Sequence, residues 1–259
     1  MDLLARLRAL IESLNLTRRL LVALAGAAAA LAAALTVLAV TTEDVTQHNG
    51  LSTTDPSHLR LFIDHRGTAV VHAAKTLTEL GAAPTLAVLA VLAAGLLWWR
   101  GTRLVVAISP GVALVVAGVI ASAAKDVVGR ARPPLGVRLM TETEPSFPSG
   151  HATDSAAFYL TLALVVAVFV LRRPMARVAA VAAGSAMTAV IGATRLVLGV
   201  HWPTDVLAGW ALGTTVATAL VLIAAALTRL TPRDPSRATM HARVMTILHA
   251  QRSVRVRAA

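Results

Sequence analysis

The chain contains no cysteine among its 259 residues. This absence excludes disulfides, zinc–thiolate sites and a cysteine nucleophile. Charged residues are also scarce, at 14%, whereas hydrophobic residues make up 56% and occur in long blocks. Soluble domains of this size are less apolar, so the sequence predicts an integral membrane protein.

Lysine is rare as well, because Lys75 and Lys125 are the two lysines among 24 basic residues. A lysine beside other unusual residues is therefore informative in this chain. The net charge of +11 would suggest nucleic-acid binding in a soluble protein. Here the arginines cluster at the ends of apolar segments, where membrane topology requires them, and we expect no nucleic-acid partner.

Six apolar windows are long enough to cross a bilayer, which takes about 20 residues as helix. We therefore expect an all-α, polytopic bundle of six transmembrane helices. The first window is long for a signal peptide, and its cleavage would leave an odd number of spans, so we expect it to be retained. The windows are residues 20–40, 82–99, 104–124, 155–171, 178–194 and 206–227.

The distribution of arginine predicts the orientation in the cell membrane. With a cytoplasmic N-terminus, the inner segments hold 16 of the 24 basic residues, and both termini are then cytoplasmic. The three outer segments are residues 41–81, 125–154 and 195–205. Within the first of them, TAVVHAAKTLTEL predicts an amphipathic helix on or near the membrane surface.

The chain divides into a membrane domain at residues 1–228 and a basic cytoplasmic tail at residues 229–259. Hydrophobic residues recur at helical spacing within the tail, in ATMHARVMTILHA. The tail is therefore either a helix on the membrane surface or a disordered basic segment that serves topology.

Two cations stand seven residues apart in the second outer segment, KDVVGRARP. Seven residues are nearly two helical turns, so Lys125 and Arg132 would share one helix face before Pro133 ends or bends the segment. Cations held together at a helix end repel each other unless an anion lies between them. The alternative is a pair of interfacial residues whose charged ends extend to water.

The third outer segment, TRLVLGVHWPTDV, contains a histidine with a carboxylate four residues later. Pro203 suits the first position of a helix, which puts Asp205 in the first turn and within reach of His201. A carboxylate on one imidazole nitrogen fixes the tautomer and raises the basicity of the other nitrogen. The helix dipole alone would also favour Asp205, but it does not account for His201 or Arg195.

A small, turn-rich stretch, EPSFPSGHATD, precedes the fourth window. Such a loop is ordinary in isolation, but Ser149, Gly150 and His151 lie on the same side of the membrane as the two charged segments. Together the segments are suited to phosphoryl transfer, with cations and donors around a phosphate, one histidine attacking and the other protonating the leaving oxygen. No carboxylate cluster suited to Mg²⁺ accompanies them, so we expect no metal and no cofactor.

The three motifs resemble those of the type 2 phosphatidic acid phosphatase superfamily. Its pattern is Lys-x6-Arg-Pro, then Pro-Ser-Gly-His, then Ser-Arg-x5-His-x3-Asp, and every spacing matches, with Thr194 in place of the serine. The resemblance implies that His201 is the nucleophile and forms a phosphohistidine, that Asp205 orients it, and that His151 protonates the leaving group. It also implies a phosphate cradle, which consists of Lys125, Arg132, Ser149, Gly150 and Arg195.

Members of this superfamily dephosphorylate membrane lipids such as phosphatidic acid, phosphatidylglycerophosphate or polyprenyl diphosphates. The resemblance therefore implies a lipid phosphatase whose partners are a lipid phosphate and the bilayer. Three alternatives are a lipid phosphotransferase with an alcohol acceptor, a vanadate-dependent haloperoxidase, and a lipid transporter or scramblase. Haloperoxidases are not six-span proteins, and a transporter would be expected to have broken motifs.

The remaining polar residues of the outer segments have weaker patterns. His48, His58, His65 and His72 have no spacing typical of a metal site. The side chains that we expect near a lipid head group are His65, Arg66, Arg130, Arg138, Glu142, Glu144 and Trp202.

Overall fold

The computed structural model describes the backbone of residues 3–230 and the side chains of residue 18 and residues 20–230. Every regular element in this part of the chain is helical, which confirms the all-α prediction. The predicted tail lies almost wholly outside the described residues, so the division of the chain at residue 228 stays a prediction.

Eight α-helices follow one another along the described chain. They are α1 (Leu3–Gln47), α2 (Asp55–Ile63), α3 (Thr68–Thr78), α4 (Ala83–Trp99), α5 (Leu104–Val128), α6 (Gly150–Val170), α7 (Pro174–Val197) and α8 (Pro203–Leu230). Helix α6 contains two π-helical turns, Ala156–Leu160 and Val166–Val170.

Five of the six predicted windows fall on helices that could each cross a bilayer, and the remaining window falls on a bent pair of helices that meets the same condition when it is taken as one span. Helix α1 from Leu20 onward, α5, α6, α7 and α8 are each long and apolar enough to cross a bilayer. The bent pair lies at the second window, where α4 meets this condition only together with α3 and a short 3₁₀ turn, across a bend of 53°. The helix predicted from TAVVHAAKTLTEL is therefore present as α3, and it packs against α7 with Ala74 and Thr78 buried.

Two helix boundaries near the motifs differ from the sequence-based expectation. Helix α6 begins at Gly150, five residues before the predicted window, because its first turns are polar and a hydropathy criterion does not detect them. Helix α5 ends at Val128, since Gly129 adopts a left-handed conformation with φ of +60°. The expectation that Lys125 and Arg132 share one helix face is therefore wrong, because Arg132 lies in the loop that follows.

Helix α8 lies at the centre of the bundle and packs against α1, α5 and α6. Its glycines allow the backbones to approach closely, as small residues do between membrane helices. A Cβ atom on Gly213 would lie 2.5 Å from the Ala156 Cβ and 2.7 Å from the Ala157 nitrogen, both on α6. This close packing holds the first turns of α6 and α8 side by side, and both turns carry predicted site residues.

We expect Gly213→Ala to destabilise the protein by about 1–3 kcal/mol, because the added methyl group meets the α6 backbone and forces the two helices apart. Gly95→Ala is the matched control, since a Cβ there meets no atom within 4 Å. Thermal unfolding of the purified variants in detergent, followed by tryptophan fluorescence, measures both. Equal melting midpoints for the two variants would contradict the close packing of α6 and α8.

Candidate active site

All eight predicted site residues lie at one end of the bundle. Helices α5 and α7 end there, with Lys125 and Arg195 in their last turns, and α6 and α8 begin there. A backbone hydrogen bond joins the residue before α6 to the first turn of α8, where the Ser149 amide donates to the Asp205 carbonyl at 3.0 Å. The three motifs, separated in sequence, therefore form one site.

His201 lies between a carboxylate and a guanidinium group and is only 1% exposed. Its Nδ1 is 3.4 Å from Oδ2 of Asp205, and its Nε2 is 3.1 Å from NH1 of Arg132. The first distance is long, as catalytic hydrogen bonds often are before substrate binds. These contacts assign the ring proton to Nδ1, because Arg132 is a donor and requires a lone pair on Nε2.

The surroundings of His201 favour the neutral imidazole. Burial lowers the pKa of His201 to about 4, even though the adjacent Asp205 carboxylate acts in the opposite direction. At neutral pH the ring is therefore uncharged, with an available lone pair on Nε2. A nucleophilic histidine requires this protonation state.

The shifted pKa of His201 predicts a pH-dependent stability. In the unfolded chain, His201 takes up a proton below its ordinary pKa of 6.5. In the folded protein, His201 takes up this proton only at about pH 4. The folded state therefore loses stability as the pH falls through this window, by about 3 kcal/mol in all, and gains nothing from this group above it. Melting midpoints of the wild type and His201→Gln across this range measure the effect. Parallel curves for the two proteins would contradict it.

Three cations lie near one another at this end of the bundle, and the loop between α5 and α6 supplies carboxylates to all of them. Lys125 Nζ donates to the Pro145 carbonyl at 2.8 Å and lies 3.4 Å from Oε2 of Glu144. Arg132 NH2 lies 3.7 Å from Oε2 of Glu142, and Arg195 NH2 donates to the other oxygen of the same carboxylate.

Glu142 therefore bridges two arginines where the sequence predicts a phosphate. Burial raises the pKa of Glu142, but Arg195 and Arg132 oppose that effect and hold the pKa below its usual range. The residue is an ionised carboxylate in the cation cluster. Glu144 is different, since its side chain is 71% exposed beside Lys125.

Two buried donors in this cluster have no acceptor. Ser149 Oγ and Arg195 Nε are both buried, and neither has a hydrogen-bond partner among the described residues. Buried polar atoms are nearly always paired, so such atoms require an explanation. The adjacent Gly150 is the first residue of α6, where amide groups are not used within the helix. An anion with several acceptor atoms would satisfy these donors.

His151 lies in the first turn of α6, and the structure brings it to the same cluster. Its ring makes no side-chain hydrogen bond within residues 20–230, whereas Arg195, Glu142 and His201 are close enough to act on it electrostatically. His151 therefore lies near His201, and its ring is not held by a hydrogen bond to another described side chain.

Among the described residues, no group of three or more His, Asp or Glu side chains is placed to hold a metal ion. The donor set at this end of the bundle is dominated by cations, which suit an anionic ligand. Independence from metals stays a prediction.

The structure also shows two residues whose position the sequence did not reveal. Arg130 was expected near the head group, but both of its terminal nitrogens are bound behind His201, to Asp205 at 2.5 Å and to Asp55 at 2.6 Å. Asp55 was not predicted as a site residue. Its sequence, TTDPS, has the form of an ordinary helix start, with an acidic residue before proline.

Known proteins resemble this chain over the part that contains the candidate site. The PAP2 superfamily model matches residues 106–229. The chain is 36% identical over 109 residues to lipid A 1-phosphatase of Rhizobium etli, which covers 39% of this chain and 42% of the relative. It is also 36% identical over 112 residues to decaprenylphosphoryl-5-phosphoribose phosphatase of Mycobacterium tuberculosis, which covers 41% of this chain and 54% of the relative. The chain thus spans about half, or less, of the length of these relatives.

Two solved structures share the fold. The transmembrane PAP2-type phosphatidylglycerolphosphate phosphatase of Bacillus subtilis superposes with a TM-score of 0.66 at 21% identity, over 77% of this chain and 98% of that one. LpxE of Aquifex aeolicus gives a TM-score of 0.50 at 19% identity, over 65% and 94% of the two chains. The resemblance seen in the three motifs is confirmed, because the PAP2 superfamily model matches residues 106–229, which contain all eight predicted site residues.

Proposed function

We propose that this protein is a membrane lipid phosphatase that hydrolyses a phosphate monoester or diphosphate head group through a phosphohistidine intermediate. The observation that carries the proposal is the pair of unsatisfied donors, Ser149 Oγ and Arg195 Nε, within a cluster of three cations beside a neutral histidine. The names of the matched relatives support a lipid phosphate as the substrate class.

In the first step, Nε2 of His201 attacks phosphorus while the bond from phosphorus to the leaving oxygen breaks. The ring then carries two substituents and a positive charge, which the Asp205 carboxylate stabilises at Nδ1. His151 gives a proton to the leaving oxygen, so that a neutral alcohol or a protonated phosphate departs. The products of this step are the free lipid alcohol, or the shorter phosphate, and phosphohistidine.

The phosphate cradle stabilises the charge that spreads over the equatorial oxygens. Lys125, Arg132 and Arg195 supply positive charge, and the Ser149 hydroxyl and Gly150 amide supply hydrogen bonds. The start of α6 adds the positive end of its helix dipole. Because the site is largely closed to water, these interactions are stronger than they would be at an exposed surface.

In the second step, water attacks the phosphorus atom of phosphohistidine. His151, which lost its proton in the first step, accepts one from the water. The bond between phosphorus and Nε2 breaks, inorganic phosphate leaves, and His201 returns to its neutral form. An alcohol in place of water would give the phosphotransferase reaction by the same route.

We further propose that both termini face the cytoplasm and that the site opens at the outer surface of the cell membrane. The arginine distribution supports this orientation. A lipid held by its tails between the helices would place its scissile bond at the level of the site.

The test is phosphate release by purified full-length protein from a panel of lipid phosphates and lipid diphosphates, with and without EDTA. We expect release from at least one lipid, no loss with EDTA, and inhibition by vanadate, which mimics the pentacoordinate transition state. An excess of new phosphoester over free phosphate when an alcohol is added would favour the transferase. Absence of release across the panel would contradict the proposal, as would an activity that EDTA removes and Mg²⁺ restores.

A further inference from the structure

The two oxygens of Asp205 have different partners. Oδ2 is the oxygen close to His201 Nδ1, and it also accepts the Trp202 backbone amide at 2.9 Å. Oδ1 accepts a hydrogen bond from NH1 of Arg130 at 2.5 Å. Asp205 is 0% exposed, so its carboxylate has no access to water in either direction. The carboxylate plane is therefore fixed from both sides.

Arg130 is itself held on the side away from His201. Its NH2 donates to Oδ2 of Asp55 at 2.6 Å, and its NH1 also donates to the Thr204 hydroxyl at 2.8 Å. The guanidinium carbon is 5.8 Å from the centre of the Trp202 ring, within range of a cation–π contact. Both terminal nitrogens are thus committed to protein groups and are not directed at a substrate.

Asp55, at the start of α2, anchors this arrangement from a distant part of the sequence. It is 1% exposed and accepts the Thr204 backbone amide at 3.0 Å and the Thr204 hydroxyl at 2.5 Å. It therefore caps the first turn of α8 from another helix, where a free amide requires an acceptor. The same carboxylate pairs with Arg130, so Asp55, Arg130 and Asp205 form a chain of charges in which the two carboxylates are buried and the arginine is partly buried.

The contrast with Arg132, two residues later, shows what Arg130 does. Arg132 NH1 contacts Nε2 of His201 on the side facing the cation cluster. Arg130 contacts the carboxylate behind Nδ1 of the same ring, without touching the ring. Arg132 is thus placed to meet a phosphate. Arg130 is placed to orient Asp205, which in turn orients His201.

We propose that Arg130, held by Asp55, is a positioning residue that acts through Asp205 on His201. Without Arg130, the buried Asp205 loses the charge that compensates it at Oδ1, and a carboxylate left in that state rotates or takes up a proton. In either case Nδ1 of His201 no longer has a fixed hydrogen-bond acceptor. The ring proton can then move to Nε2, which removes the lone pair needed for attack. The proposal rests on the proposed function, because it assumes that His201 is the nucleophile.

We expect Arg130→Gln to lower kcat by about 10- to 100-fold with little change in KM. Effects of this size are typical when the lost group orients a residue that itself contacts the reacting centre. Asp55→Asn is expected to lower kcat less, by about tenfold, because Arg130 keeps its contact with Asp205. Because Asp55 acts through Arg130, the double variant should be no slower than Arg130→Gln alone. Arg60→Gln is the matched control, an exposed arginine on the same helix as Asp55.

Two further measurements separate positioning from a general structural role. Arg130→Ala should recover part of its lost kcat when guanidinium ion is added at millimolar concentration, whereas Arg60→Gln should show no response. Loss of activity in Arg130→Gln should also be the same for a lipid phosphate and for p-nitrophenyl phosphate, because the nucleophile and not the leaving group is affected.

The tautomer of His201 can be measured without any turnover of substrate, so the positioning role of Arg130 can be tested even in an inactive protein. Nitrogen-15 NMR of His201, assigned through His201→Gln, reports which ring nitrogen carries the proton. We expect a proton on Nδ1 in the wild type and a mixture of tautomers in Arg130→Gln. An unchanged tautomer would overturn the inference even if the protein proved inactive on every lipid tested. A raised KM with unchanged kcat, or additive effects in the double variant, would overturn it as well.

Discussion

His201→Ala is expected to lower kcat by about 10⁴-fold or more, as removal of a nucleophile does in other enzymes with covalent intermediates. The variant removes the atom that we propose bonds to phosphorus, and it leaves the three cations in place. Lipid binding should therefore survive, and turnover should not. Phosphate release by purified protein measures the loss, and His58→Ala is the matched control because His58 is exposed and lies outside the site.

A second experiment examines the covalent step directly. Wild-type protein quenched in alkali during turnover of a ³²P-labelled substrate should retain label that is stable to base and lost in acid, as phosphohistidine is. His201→Ala should retain none. A variant that still releases phosphate at a near-normal rate, or that still becomes labelled, would show that another residue is the nucleophile.

His151→Ala is expected to separate the two steps of the reaction. With a lipid phosphate, kcat should fall by about 10²- to 10⁴-fold, because the leaving alcohol departs without a proton. With p-nitrophenyl phosphate the leaving group is stable as an anion, so the first step should remain fast. Water attack still lacks its base, so rapid mixing should show a burst of about one nitrophenolate per protein, followed by a slow rate.

This result depends on the division of roles between the two histidines. If His151 served only to bind phosphate, both substrates would lose activity equally and no burst would be seen. If His151 were the nucleophile, p-nitrophenyl phosphate would not be turned over at all. The His58→Ala variant, measured in the same way, should show the wild-type rate with both substrates.

Much of the site could be predicted because its residues come in short motifs, which the structure places at one end of the bundle. His201 and Asp205 lie on either side of Pro203, which indicated where the helix begins. Their short separation therefore predicted that they could meet at its first turn. The six apolar windows were equally clear, since hydropathy reports directly on the length needed to cross a bilayer. The structure adds the contacts among the motifs, which their spacing could only suggest.

The parts that could not be predicted depend on tertiary contacts. Arg130 pairs with Asp55, which lies 75 residues earlier, and no local pattern marks such a pair. Helix α6 begins on polar residues, and the left-handed Gly129 ends α5 before Arg132. In each case the local sequence allows more than one conformation, and packing against another segment selects between them.

Because Glu142 already pairs with Arg132 and Arg195, the proposed binding of a phosphate at this site would exchange one anion for another. An incoming anion replaces a carboxylate that is already there, so its net affinity is the difference between two sets of ion pairs. A monovalent ion such as chloride gains little from that exchange. A phosphate dianion brings more charge and also accepts from Ser149 Oγ and Arg195 Nε, which Glu142 leaves unpaired. On the proposed function, the site would discriminate by charge and by number of acceptor atoms, and the displaced carboxylate, which stays on the same loop, would return to the arginines as inorganic phosphate departs.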